Sequence, residues 1–338
     1  MSPPILLVPG TGGTQLLKNG TTLGHPVVVN AKLWLLKTVG VDVEQTVLDM
    51  SMEHAPGQIQ AVRTTLAPGS EVRPGSILKV AYNLILPHAQ TIYNYDWRED
   101  IEVSAQGLIK VLKAEYGGVK AHIVSHSQGG LVVVAASKLM ARQGLAMGDY
   151  VARIDFVGVP IYGTLNAAHG LLVGENLGEK AESEFRKIGG TWPSLYEMLP
   201  SWYALRDPNG QISRYSFFHK KTWEPYPWIK PHLVKRAWQV RRDLLNHPAD
   251  SLQGIAFRFI LTKNRKTWDH AIRQNDGTIT FPEPSVAGDS LVPFTQTYNQ
   301  MHDVEQQRVH AVGPQENVPE HSFLLTDDWI VSLIRGAH

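Results

Sequence analysis

Apolar positions along this chain fall into short blocks that alternate between a continuous pattern and a helical period. Pro4 to Pro9 is an unbroken apolar run that stops at Gly10-Thr11-Gly12-Gly13. A run of that length closed by glycine predicts a strand buried on both faces. Thr91 to Trp97 (TIYNYDW), Lys120 to His126 (KAHIVSH) and Arg153 to Pro160 (RIDFVGVP) predict three more strands. Between them, residues 101–116 carry Ile101, Val103, Leu108, Ile109, Val111 and Leu112 at an imperfect helical period that ends at Gly117-Gly118. Residues 128–142, rich in alanine, valine and leucine, predict a second helix. The same alternation resumes late, with Gly254 to Lys263, Arg308 to Val312 and a helix over roughly 325–335. Strands interleaved with helices imply a mostly parallel sheet with helices on both faces.

Two stretches break the pattern. Residues 20–88 show no clean strand–helix alternation, and residues 161–250 are rich in tryptophan, proline and basic side chains. We read both as cap insertions on a single domain spanning 1–338, with core segments near 1–19, 89–160 and 251–338. The expected place for such caps is the carboxyl edge of the sheet, where open α/β sheets bind ligands.

The length of 338 residues suits one core with large insertions. Hydrophobic residues make up 43% and charged residues 19%, so a sizeable core can form. The formal net charge of +1 supplies no global attraction to nucleic acid or an anionic membrane. With no cysteine, disulfides, thiolate nucleophiles and cysteine-bound zinc are excluded. No apolar run approaches the roughly 18 residues of a membrane span, and the first residues carry no signal-like pattern. The cytoplasm is the expected address, with a trimmed leader as the alternative.

Ser125-His126-Ser127-Gln128-Gly129-Gly130 lies between a predicted strand and a predicted helix. A serine nucleophile held on a sharp strand-to-helix turn needs this context, with small residues two positions to either side. Here those are Ser125, where glycine is usual, and Gly129. Such a serine is inert without a base and an orienting acid, which should follow in the order acid, then histidine. Gly288-Asp289-Ser290-Leu291-Val292-Pro293 offers Asp289 in a tight turn after a late strand; Asp276 competes, but Asn275-Asp276-Gly277 reads as a hairpin turn. His321 lies after the last strand and before the final helix. His302 is too near the acid, His310 falls inside the strand and His338 is the last residue. Two backbone N–H groups should stabilise the oxyanion: that of Gln128, and that of Thr11 or Gly12 in the glycine-rich loop. That loop lacks the spacing of a nucleotide-binding loop.

In order, Val8-Pro9-Gly10-Thr11-Gly12-Gly13-Thr14-Gln15-Leu16, Tyr95-Asp96-Trp97-Arg98, the Ser127 segment, Val159-Pro160-Ile161-Tyr162-Gly163-Thr164, the Asp289 turn and His321 resemble the lecithin:cholesterol acyltransferase family. This family has the α/β-hydrolase fold and includes lysosomal phospholipase A2 and bacterial hydrolases. Pro193 to Pro200 resembles a cap segment of its bacterial members. The resemblance implies triad roles for Ser127, Asp289 and His321, and an oxyanion amide at Thr11 in preference to Gly12. The lack of cysteine departs from its extracellular animal members. The cap regions match too little to carry over a lipid substrate.

The expected function is hydrolysis of a carboxylic ester through an acyl-enzyme, with no cofactor or metal. Transfer of the acyl group to an alcohol uses the same residues. A hydrolase-fold binding protein without turnover is the alternative from another class. Five of the nine tryptophans fall in the second insertion, too many for a plain loop. Trp192, Trp202 and Trp228 are therefore the candidates for contact with an ester or lipid-like substrate, and the cap for transient contact with a lipid interface. Tyr95-Asp96-Trp97-Arg98 is expected to be structural, with Asp96 and Arg98 paired.

Overall fold

The computed structural model describes residues 2–18, 21–23, 72–174, 186, 188–312 and 319–336. Most of the first expected insertion, and His338, lie outside the described residues.

Six parallel strands form the central sheet: β1 (Ile5–Val8), β5 (Ala89–Ile92), β6 (Ala121–His126), β7 (Val151–Val157), β9 (Ala256–Thr262) and β14 (Val309–Val312). Their spatial order is β14-β9-β7-β6-β1-β5, so the first strand of the chain sits inside the sheet. The inner strands are buried on both faces because their apolar side chains alternate between two cores, while the edge strands β5 and β14 are partly exposed. Leu6, Val8, Ile123, Phe156, Phe259 and Leu261 point to one; Ile5, Leu7, Val124, Val157, Ile260 and Val312 point to the other.

Helices cover both faces. On the first, α2 (Ile101–Glu115) packs against α3 (Gln128–Arg142). Helix α2 starts where the Asp100 side chain accepts from Glu102 N, and it buries Ile101, Ala105, Leu108 and Leu112 as one stripe. Helix α3 is buried almost throughout, which its small and branched apolar residues permit. The second face is closed by α1 (Lys79–Tyr82) and α9 (Asp328–Arg335). Helix α9 is capped by Asp327 and ended by Gly336 at φ 77°.

The expected strand at Thr91–Trp97 is shorter in the structure. β5 ends at Ile92, Tyr93 N still donates to Leu7 O at 2.9 Å, and residues 94–98 leave the sheet because their aromatics have other partners. Tyr95 Oη donates to Pro9 O at 2.8 Å and Trp97 Nε1 donates to Thr14 O at 3.0 Å. The second irregular stretch contains α4 (Leu165–Leu172), α5 (Pro193–Glu197), β8 (Leu205–Arg206) and α6 (Pro231–Val240), all packed into the first core. Strands β8, β11 (Ala271–Arg273) and β12 (Ile279–Thr280) make a small sheet. The β11–β12 turn is the expected Asp276-Gly277 hairpin, with Gly277 at φ 90° and Asp276 accepting from Thr278 N. Near the N-terminus, β2 (Thr14–Lys18) pairs antiparallel with β3 (Thr21–Leu23) and β4 (Val72–Ile77). A two-stranded antiparallel ribbon, β10 (Arg265–Thr267) with β13 (Val286–Gly288), leads into the Asp289 turn. Among the described residues, no helix is long and apolar enough to cross a membrane.

Candidate active site

Ser127 occupies the one-residue gap between β6 and α3. Its backbone is held at φ 52°, a conformation side chains seldom adopt. Close packing forces it there. A Cβ on Gly129 would come 2.4 Å from Val8 O, and one on Gly10 would come 2.6 Å from Ser127 Cβ, so both positions exclude any side chain. Ser125, in the position glycine usually takes, is fully buried and its hydroxyl donates to Asp155 O at 3.3 Å.

Asp289 follows β13 in a turn whose next residue, Ser290, also has positive φ, 80°. Asp289 Oδ1 accepts from Leu291 N at 2.9 Å and Val292 N at 2.7 Å, leaving Oδ2 for His321 Nδ1 at 2.8 Å. His321 N also donates to Asp289 O at 2.9 Å, so backbone and ring are tied to the same residue. His321 opens a short 3-10 turn, His321–Thr326, as the expectation of a loop before the last helix required. With the proton on Nδ1 held by the carboxylate, Nε2 is free to accept from Ser127 Oγ at 2.8 Å. The three side chains therefore form one hydrogen-bonded line, all buried. The competitors are elsewhere. His302 precedes α8 (Asp303–Gln306) and stacks on His247; His310 is in β14 beside Trp329.

Around the line, two loops are locked together. Gln128 is the first residue of α3, so its N–H has no acceptor within the helix. Its side chain reaches outward. Oε1 accepts from the Thr11 hydroxyl at 2.6 Å, and Nε2 donates to Trp97 O at 2.8 Å. Thr11 and Gly12 both line the cavity in front of Ser127, with Gly12 at φ 70°. Asp96 and Arg98 pair as expected, Arg98 Nη2 lying 2.6 Å from Asp96 Oδ2. The Arg98 carbonyl receives Ser194 N, and Trp97 meets Trp192 edge-on at 5.2 Å, so this segment also touches α5.

The cavity has a volume of about 630 Å³. Trp192, Leu195 and Met198 line it from the second irregular stretch, together with Leu78, Ala81 and Phe323. Trp202 and Trp228 do not line it. Their indoles donate to Asp269 O and Leu171 O, and Trp228 packs against the first core. Beneath α5, Glu197 is completely buried beside Asp100, and both effects push its carboxyl well above the usual range, burial foremost. Arg241 is as deeply buried, and its guanidinium donates to the carbonyls of Glu197, Ile161 and Pro160; burial lowers its pKa to about 9.

Sequence reasoning missed two residues at this site. His126, the residue between Ser125 and Ser127, and Tyr82, from α1, both face the cavity and hydrogen-bond to each other. His126 was visible as a polar side chain ending an apolar strand. Tyr82 carried no local signal.

No protein-family model matches this chain, and no curated protein matches it by sequence. Among solved structures it is similar to the crystal structure of the Tle4-Tli4 complex, with a TM-score of 0.56 at 13% identity over 98% of each chain. It also aligns with mature lipase BlEst2 of Bacillus licheniformis (TM-score 0.44, 11% identity, 99% of this chain and 91% of that one). A third is Est1E from Butyrivibrio proteoclasticus with bound ferulic acid (TM-score 0.37, 11% identity, 99% and 88%). The chain has the α/β-hydrolase fold.

Proposed function

We propose that this α/β hydrolase is a serine-dependent carboxylic ester hydrolase. The observation that carries the reading is the continuous line Ser127 Oγ–His321 Nε2 and His321 Nδ1–Asp289 Oδ2, opening on a largely apolar cavity. His321 Nε2 takes the Ser127 proton as Oγ attacks the ester carbonyl. The oxyanion is met by the N–H of Gln128 and by an N–H of the Thr11–Gly12 loop. His321 then returns the proton to the leaving alcohol. Water, deprotonated by the same nitrogen, attacks the acyl-enzyme; His321 then returns that proton to Oγ as the ester bond to Ser127 breaks, releasing the acid and free Ser127. Asp289 fixes the His321 tautomer and stabilises the imidazolium that forms between steps.

The order of motifs shared with the lecithin:cholesterol acyltransferase family supports the same roles. Segment 161–250 is the cap in this reading, and the acyl chain lies against Trp192, Leu195 and Met198. Trp202 and Trp228 have no part in it. A fluorophosphonate probe should label the wild-type protein on Ser127 and leave Ser127→Ala unlabelled. Absence of labelling in the wild type, with no turnover of p-nitrophenyl esters, would overturn the reading. If products shift from acid to new ester when an alcohol is supplied, acyl transfer becomes the activity.

A further inference from the structure

Beside the nucleophile, a second chain of hydrogen bonds runs from the glycine-rich loop to the backbone of His321, and its direction is fixed by chemistry alone. Gly10 N can only donate, and it donates to Tyr82 Oη at 2.9 Å. The single Tyr82 hydroxyl proton then goes to His126 Nδ1, at 3.0 Å. An accepting Nδ1 requires the proton on Nε2, and His126 Nε2 lies 2.9 Å from His321 O, a pure acceptor. Reversal of any one bond would leave two donors or two acceptors facing each other. Both side chains are buried, the two rings meet edge-on at 5.6 Å, and the His126 ring lies 5.1 Å from that of His321.

We propose that Tyr82 and His126 are positioning residues for the ester-cleaving reaction, forming a one-way hydrogen-bond chain that holds the oxyanion loop and the base in register with the nucleophile between them. The inference rests on the proposed hydrolase reading. His126 is adjacent in sequence to Ser127, so one side chain references the His321 loop to the nucleophile. Tyr82 references the Gly10 turn to the same point, and a Cβ on Gly13 would come 2.7 Å from its hydroxyl, so the loop closes directly over it. Burial drives the His126 pKa down to about 3, and the neighbouring His321 ring acts in the same direction. His126 thus stays neutral while His321 accepts and returns its proton, and the chain keeps its polarity through the cycle.

The test compares Tyr82→Phe, His126→Leu and His126→Gln. Glutamine keeps one acceptor and one donor at about the separation of the two ring nitrogens; leucine keeps neither. With p-nitrophenyl esters, Tyr82→Phe and His126→Leu should each lower kcat about tenfold to a hundredfold while KM stays within about twofold, because misplacement of the reacting groups is felt in the chemical step. His126→Gln should recover most of that loss. In wild-type protein, nitrogen-15 NMR at neutral pH should show His126 as the Nε2–H tautomer, a readout independent of turnover and of how the variants fold. Wild-type kcat in folded Tyr82→Phe, equal losses in the glutamine and leucine variants, or an Nδ1–H tautomer would each overturn the inference while Ser127 labelling leaves the hydrolase reading standing. An unlabelled, inactive wild type would remove the reading itself.

Discussion

The catalytic proposal concentrates on single atoms, and so do its consequences. Ser127→Ala should lower ester hydrolysis by about 10³-fold or more, His321→Ala by a similar factor, and Asp289→Asn by less, since Asp289 only orients the base. Steady-state rates of Ser127→Ala/His321→Ala should match either single variant; multiplied losses would show that the two act separately. His126 supplies a second expectation at this scale. Its folded pKa, about 3, lies below the ordinary histidine value of 6.5. Above pH 6.5 both folded and unfolded forms are neutral, and the group contributes no pH dependence. Below it the unfolded chain binds a proton that the folded one refuses, so stability falls by about 1.4 kcal/mol per pH unit. Between pH 6.5 and 5, where the slope is still building at the upper end, the loss is about 1.6 kcal/mol. Urea unfolding across that window should show the fall in wild type to be steeper than in His126→Gln by this amount. Parallel curves would mean that His126 protonates in the folded state. Refusal of the proton fits the site: two imidazolium rings 5.1 Å apart would repel by about 3 kcal/mol at an effective dielectric of about 20.

Elements carry the next layer, and here the sequence was readable to different depths. The strand–serine–helix unit was legible because it is local: an apolar run, a serine between small residues and a helical period fix the elbow without help from the rest of the chain. The Asp289 turn and the His321 position followed from chain order. Trp202 and Trp228 misled, since a tryptophan in an insertion can face a cavity or pack into the core, and only tertiary structure separates the two. The side-chain bridge of Gln128, and Tyr82 behind it, were illegible for the same reason. Their partners are Thr11, Trp97, Gly10 and His126, distant in sequence. The joint beneath α5 is another such case. Glu197 Oε2 accepts from Ile101 N at 2.8 Å, at the start of α2. Its carboxyl is raised by burial and then by Asp100, so the folded protein holds a proton that the unfolded chain gives up above its ordinary pKa. The stability tied to that proton is complete at acid pH and lost as pH rises toward the folded value. Glu197→Gln retains the acceptor and carries a permanent donor toward Asp100. Its urea midpoint should therefore climb relative to wild type from pH 5 to pH 8; a constant offset would mean the carboxyl ionises freely where it sits.

At the scale of the whole molecule, cavity and sheet set the remaining expectations. If an acyl chain lies along Trp192, Leu195 and Met198, each added methylene is worth up to about 0.8 kcal/mol. Values of kcat/KM for p-nitrophenyl esters should rise from acetyl to medium chains and then level off as the cavity fills, and Trp192→Ala should flatten the rise. Best activity on acetyl esters with no response to Trp192→Ala would assign the acyl chain elsewhere. The position of β1 has a different consequence, in time rather than in space. Ile5 pairs with Ala89 on one side and His122 on the other, so β1 waits for two segments distant in sequence before either of its edges is satisfied. Closing such long loops precedes any reward from pairing, which places refolding in the slow, millisecond-to-second regime or beyond. Until then an apolar strand with both edges open is exposed, a template for association with other chains. Yield on refolding should therefore fall with protein concentration, and a chaperone that shields β1 should restore it.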